Sequence, residues 1–274
     1  MIRMLGLCFF AITAVLLNTP AGADGLSVTI SPLNAELAVK AGVVTTGVIS
    51  VTNNLVPQQS VLMSGPSDDA STAHLKVYAI DWTLDQKGNI SFLPTGTSPD
   101  CCSTWIQINP TTVSVAAGET ASVRYTVNPP VGAAGTYHTL IMFQQIPDLS
   151  DGHRSTSDIN GRIGSALYVD VGTVSKRARI SGFQVDADTA SITIQNTGTT
   201  ILRLKGTLSI ADASGREYQS VPIPGALILP GSSGSREIDI KLPQPLQPGQ
   251  STATAIIDYG AEVLLGAKCS APSD

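Results

Sequence analysis

Charge is scarce in this chain: only 14% of its 274 residues are Asp, Glu, Lys or Arg, against about 25% in average usage. The 16 basic and 21 acidic residues leave a formal net charge of -5. That balance provides no basic face for a polyanion, and it excludes a nucleic-acid partner. Histidine is limited to His74, His138 and His153, far apart and without a metal-ligand spacing, and there is no CxxC pair; no metal and no cofactor are expected. Asp148, Asp151 and Asp158 do not follow the DxDxDG arrangement of a calcium loop. There is no GxSxG elbow, and no loop pairs a nucleophile with an evident base. The expectation is therefore a non-enzyme with no small-molecule substrate. Aromatic residues make up 5% of the chain, two of them tryptophan; Trp82 and Trp105 fall in alternating apolar segments, where packing is the expected role.

Long apolar runs are missing too. The longest is residues 5–17 (LGLCFFAITAVLL), below the ~20 residues that span a bilayer as a helix. With Arg3 before it and Ala21, Gly22 and Ala23 after it, it reads as a secretory signal peptide over residues 1–23, cleaved before Asp24. Cleavage removes Cys8 and leaves Cys101, Cys102 and Cys269 in a compartment where disulfides form. Either member of the adjacent pair could bridge to Cys269, or Cys101 and Cys102 could bond to each other; the sequence does not choose.

No stretch of helical length shows a 3.6-residue period. From Leu26 onward the period is two, broken by Gly, Pro and Asn clusters, which predicts an all-β chain. Val28 and Ile30, then Leu37 and Val39, form a first strand interrupted at Ser31-Pro32, a position that implies an edge or a switch between sheets. Further strands are expected over residues 44–52, 75–84, 105–108, 113–115, 122–127, 137–145 and 163–171. About seven short strands fit an immunoglobulin-like sandwich. The second half repeats the grammar: residues 192–195 end at Asn196-Thr197-Gly198 as the earlier strand ended at Asn53-Asn54, and Gly231 and Gly249 echo Gly118 and Gly135. Two tandem sandwiches are expected, residues 24–171 and 178–274, joined by a short basic linker, 172–177, that lets them touch.

Ile257-Asp258-Tyr259-Gly260, followed by Leu264, Leu265 and Cys269, resembles the end of the PapD-like periplasmic pilus chaperones. Residues 113–122 (VSVAAGETAS), Val123-Arg124-Tyr125 and residues 137–147 (YHTLIMFQQIP) are similar to that family's strands before its long loop. The resemblance implies two immunoglobulin-like domains set at an angle and a periplasmic location. It implies a protein subunit of a pilus or surface structure as partner, with an outer-membrane usher as a second one. Its mechanism would be strand addition, in which the chaperone lends its last first-domain strand to an incomplete subunit.

On that resemblance the lending strand lies within residues 148–171, with Ile159, Ile163, Leu167 and Val169 on one face. Read from the residues alone, Leu167, Val169 and Val171 fill the domain's own core. The family grips the subunit's terminal carboxylate with two cations, and neither position is matched here; Arg162 is the candidate substitute, against an exposed strand end. Asp258 matches a family residue in a salt-bridge network between domains. The family's Arg partner falls at Asp170, so Lys176, Arg177 or Arg179 would have to serve; the alternative role for Asp258 is a turn residue before Gly260. The rival to a chaperone is a structural or adhesive envelope protein on the same scaffold, favoured by the unmatched cations.

Overall fold

The computed structural model describes residues 27–55, 72–146, 161–246, 249 and 251–271. The expected signal peptide, Ile159 and the aspartates of the 148–158 loop lie outside them. The described chain is β throughout apart from two short 3-10 turns.

Ten strands precede the linker: β1 (Val28–Ser31), β2 (Asn34–Val39), β3 (Thr45–Asn53), β4 (Ala73–Leu84), β5 (Ile90–Leu93), β6 (Ile106–Asn109), β7 (Thr112–Val115), β8 (Thr120–Val127), β9 (Gly135–Gln145) and β10 (Arg162–Val171). One sheet has the order β1-β3-β8-β6, and the facing sheet has the order β2-β10-β9-β4-β5 with β7 also on β4. Pro32 separates β1 from β2 and sends them to opposite sheets, as its missing N–H demands. The alternation that predicted the strands becomes burial: Ile49, Val51, Val77, Val123, Val127, Ile141 and Phe143 interleave in the core between the sheets. The hairpin strand β5 carried no readable pattern, because Ile90 and Phe92 are 55% and 46% exposed.

After residues 172–177 come β11 (Ala178–Val185), β12 (Thr189–Asn196), β13 (Leu202–Ala211), β14 (Glu217–Ile228), β15 (Ser235–Lys241), β16 (Thr252–Asp258) and β17 (Leu265–Ser270). They form sheets β11-β12-β15 and β14-β13-β16-β17 around a second core that includes Ile192, Ile194, Leu208, Ile210 and Ile257. The two asparagines of the sequence echo do the same work: Asn53 Nδ2 donates to Val115 O at 2.9 Å and Asn196 Nδ2 to Thr200 O at 2.8 Å. Each buried amide thus donates to a backbone carbonyl, at the end of β7 for Asn53 and in the turn after β12 for Asn196.

The linker lies against the turn after β12. Thr197 N and Gly198 N donate to Arg177 O, and Thr199 N donates to Ser175 O. A Cβ on Gly198 would sit 2.2 Å from Ser175 O, so this close approach requires glycine.

Candidate binding edge and interdomain cleft

Strand β10 is paired with β9 along its whole length, from Arg162 opposite Gln144 to Val171 opposite Gly135. On its other side the parallel pairing with β2 begins only at Ala166 opposite Asn34. Gln145 N donates to Gly161 O and Ala166 N donates to Leu33 O. Alternation along the strand therefore turns the backbone groups of Arg162 and Gly164 away from β9, toward the β2 side. No described strand lies along that side of residues 162–165. The gap closes where Ser165 Oγ donates to Pro32 O at 2.8 Å.

The side chains of β10 divide by face. Leu167 (1% exposed) and Val169 (0%) lie in the first core with Val171. This corrects the expectation that Leu167 and Val169 face a partner, since their apolar surface is already covered by their own domain. Ile163 is half-buried and packs against the same core. On the opposite face, Arg162 is exposed and places its guanidinium 4.8 Å from the Phe92 ring centroid, a cation–π contact with β5. Gly164 leaves the space that Met142 fills, since a Cβ there would lie 2.7 Å from Sδ.

That same face forms one wall of a cleft of about 310 Å³ between the sandwiches, lined by Trp82, Leu84, Gly88, Ile90, Leu140, Ala166 and Tyr168 from the first and by Gly225, Ala226, Leu227 and Arg236 from the second. Beside it, Trp82 and Tyr168 pack with Ile201 and Leu229 in a small core of their own. Trp82 is thus a packing residue, at the interface rather than inside one sandwich.

Polar bridges frame this interdomain core. Thr136 N donates to Thr199 O at 2.8 Å, and Asp170 accepts from the hydroxyls of Thr136 and Thr200. Asp100 accepts from Ser232 N at 2.9 Å and from its hydroxyl, and the hydroxyls of Thr83 and Ser233 meet. The β4–β5 turn clasps β15: Glu237 N donates to Gln86 O at 2.7 Å, and Lys87 Nζ lies 2.8 Å from Glu237 and 3.0 Å from Asp239. Glu237 is the first cause that pushes the Lys87 ammonium up, and Lys87 in turn holds the Glu237 carboxyl below its usual range. Arg203 pairs with Glu36 at 2.5 Å.

The expected interdomain ion pairs are corrected by this arrangement. Asp258 accepts from Gly260 N at 2.8 Å; this bond, more than Lys205 at 3.4 Å, holds its carboxyl below the usual range. Asp258 is a turn residue, and Lys205 belongs to the same sheet. Lys176, one of the cations expected beside Asp258, covers that turn, with Nζ 3.1 Å from where a Gly260 Cβ would be; its charge also lowers the Asp258 carboxyl, though the ion pair within 4 Å is with Lys205. Arg177 contributes backbone carbonyl bonds, and Arg179 donates across β11–β12 to Gln195. Both bridging cations, Lys87 and Arg203, were missed, because a charge in a turn or on an exposed strand face gives no sign in the sequence of what it will meet.

Cys101, Cys102 and Cys269 are free thiols, so none of the bridges the sequence left open is formed. Cys102 is part of the first core and Cys269 lies on β17 of the second sandwich. Cys101 is 3.5 Å from His138 Nε2 and 3.3 Å from Trp82 O. This pair lacks the chemistry of a nucleophile and base. His138 Nε2 is 2.9 Å from Trp82 O, so that nitrogen carries the proton and cannot accept one from the thiol. Burial pushes the Cys101 thiol up and the imidazole down, so both stay neutral. Among the described residues no cluster could hold a metal ion.

No protein-family profile matches the sequence, and no curated protein does. Solved structures do. The chain is similar to the class 5 fimbriae chaperone CfaA at 14% identity and a TM-score of 0.50, over 88% of this chain and 98% of that one. A chain of the chaperone–tip adhesin complex of CFA/I fimbriae biogenesis gives 14% identity and 0.49 over 90% and 99%. The YadV chaperone gives 10% and 0.48 over 89% and 100%. The two-sandwich fold implied by the IDYG string is the fold the chain adopts.

Proposed function

We propose that this protein is an exported, periplasmic, non-enzymatic chaperone for a protein subunit of a pilus or surface structure, which it holds by adding strand β10 to the subunit's open sheet before handing it to an outer-membrane usher. The observation that carries this reading is the open side of β10. In a fold shared with a fimbrial chaperone, residues 162–165 are fixed by β9 while their other backbone edge is uncovered by any described strand. An edge of this kind binds by main-chain hydrogen bonds, with side-chain pockets adding selectivity. Ile163 and, outside the described residues, Ile159 are the apolar side chains assigned to that contact. Arg162, exposed over Phe92, is the assigned ligand for an acidic group on the subunit.

The test is purification of the tagged chain beginning at Asp24 from its native envelope, beside an Arg162→Pro variant. Proline removes the N–H that faces the open side, and the first position of a strand tolerates it. A small secreted β protein bound stoichiometrically to the wild type and lost from Arg162→Pro is the expected result. Recovery of the chain alone, attachment to cell-surface material, or capture indifferent to the proline would overturn the reading and favour the structural or adhesive role.

A further inference from the structure

Two turns meet at the corner of the first sandwich where Gly172 of the linker donates to Val39 O. Each closes on itself, with Val43 N donating to Lys40 O at 3.1 Å and Ala133 N to Pro130 O at 3.2 Å, and Gly42 N donates to Pro129 O at 2.9 Å to join them. Glycine stands third in each, Gly42 at φ 72° and Gly132 at φ 91°, the left-handed geometry that a type II turn demands. The tips so fixed are apolar: Val131 is 91% exposed, Val44 58% and Val43 49%, and Pro130 is exposed beside them. A Cβ on Gly42 would lie 3.2 Å from Val131 Cγ2, so the tips form one patch. Single exposed aliphatic residues are ordinary, but a contiguous set on neighbouring tips marks a contact site. Lys40 is the only charged residue in 40–44 and 128–134. On the adjoining sheet face exposed Val48 stands opposite Arg124, and Thr46 opposite Thr126. In a chain of net charge -5, this corner carries two cations and no carboxylate. At the foot of the second turn Asn128 N donates to Trp105 O at 3.0 Å, and the half-buried rings of Trp105 and Tyr137 meet at 4.4 Å.

We infer that this corner docks on an anionic phospholipid surface, with Val43, Val44, Pro130 and Val131 entering the acyl boundary and Lys40 and Arg124 among the phosphates. Shape favours lipid, because the apolar groups stand on exposed turn tips rather than in a groove, and a fluid interface accepts such a wedge without a matching pocket. Charge favours anionic headgroups, which attract basic side chains beside an apolar anchor. Tryptophan and tyrosine at the foot of the wedge suit the headgroup level, where one side of a ring is apolar and the other wet. Only the proposed export is needed to bring an envelope membrane within reach; subunit capture plays no part.

The test is flotation of the full chain beginning at Asp24 with phosphatidylcholine vesicles that contain phosphatidylglycerol, beside vesicles of phosphatidylcholine alone. The chain should float with the anionic vesicles, with affinity about ten-fold weaker for Val131→Asp and about five-fold weaker for Lys40→Gln. Both side chains are exposed, so neither change should unfold the chain. The two indoles provide a second readout on the wild type. Brominated acyl chains should quench Trp105, identified with Trp105→Phe, and spare Trp82, which is 4% exposed in the interdomain core. No flotation, equal flotation with phosphatidylcholine alone, indifference to Val131→Asp, or quenching of Trp82 in place of Trp105 would overturn the inference. Capture of an envelope protein through Val131 without vesicle binding would overturn it in favour of a protein partner. Should Val131→Asp fail to fold, the quenching of the wild type decides. Arg162→Pro should lose the subunit and keep the vesicles, so the two readings fail separately.

Discussion

Replacing Leu229 with Ala asks whether the two sandwiches are one thermodynamic unit. Leu229 follows β14 in the second sandwich, is fully buried, and meets Trp82 and Tyr168 of the first. A fully buried Leu→Ala change costs about 2–5 kcal/mol, more where the site cannot collapse. Here the cluster adjoins an open cleft lined by Tyr168, Ala166 and Leu227, so the hole left behind can relax or admit water, and the lower part of that range applies, about 2–3 kcal/mol. At roughly 2–4 °C per kcal/mol for a chain of this size, the transition should fall by about 4–12 °C. Differential scanning calorimetry reads this directly, with Ile192→Ala, buried in the second core alone, as the control. If the interdomain cluster couples the sandwiches, one transition is seen and both variants lower it. The reasoning is refuted if Leu229→Ala leaves every transition within about 1–2 °C of the wild type, the scatter of a surface substitution, or if Ile192→Ala moves one of two separate transitions.

Three further outcomes follow from the same geometry. Burial lowers the His138 pKa below its ordinary 6.5, so as pH falls through 6.5 the unfolded chain takes up a proton that the folded one refuses, and stability declines until the folded value is passed; urea midpoints between pH 8 and 5 should show this slope, and His138→Phe should flatten it. The Lys87 clasp is exposed; Lys87 holds the Glu237 carboxyl below its usual range, and Glu237 in turn pushes the Lys87 ammonium up. Its contribution is present above the ordinary Glu range, is lost as pH falls through the folded Glu237 value, and is lost again as pH rises through the folded Lys87 value. Exchange of the Glu237 amide, which donates to Gln86 O, should accelerate in Lys87→Gln and in high salt; an unchanged rate would show that the backbone bond holds without the charges. Thiol titration of the native chain beginning at Asp24 should modify Cys269 and spare Cys101 and Cys102, both buried with raised pKa values. Loss of any free thiol under non-reducing conditions would restore a disulfide.

Much of the architecture was legible because strand burial is a period-two property of the chain itself. Val28 and Ile30, or Ile192 and Ile194, announce their face without knowledge of the partner strand. Pro32 announced its switch for a chemical reason, the absent N–H. The site was less legible because it depends on which surfaces meet. Leu167 and Val169 on β10 are the same residue types whether they cover their own core or a partner's, and only the register with β9 and β2 decides. Arg236 looked like any alternating strand residue, and Trp82 like any core tryptophan. Their juxtaposition across the cleft depends on the docking of β15 against the β4–β5 turn, a contact between residues about 150 apart.

The proline switch also sets how much of β10 is on offer. Because β2 starts at Asn34, only residues 162–165 are uncovered on that side, roughly 13 Å of strand at about 3.3 Å per residue. Alternation leaves two residues, Arg162 and Gly164, with outward backbone groups, so this stretch supplies at most about four hydrogen bonds at a net 0.5–1.5 kcal/mol each. The sum is comparable to the entropy lost in association, so backbone pairing on the described strand alone does not hold a subunit. The rest must come from apolar burial beside the edge. Ile163 is already half-covered by its own core, whereas Ile90 and Phe92 on β5 remain exposed and Arg162 ties Phe92 to β10. Phe92→Ser should therefore weaken subunit capture more than Ile163→Ala does, and the opposite order in a pull-down would place the partner's apolar contact back on β10.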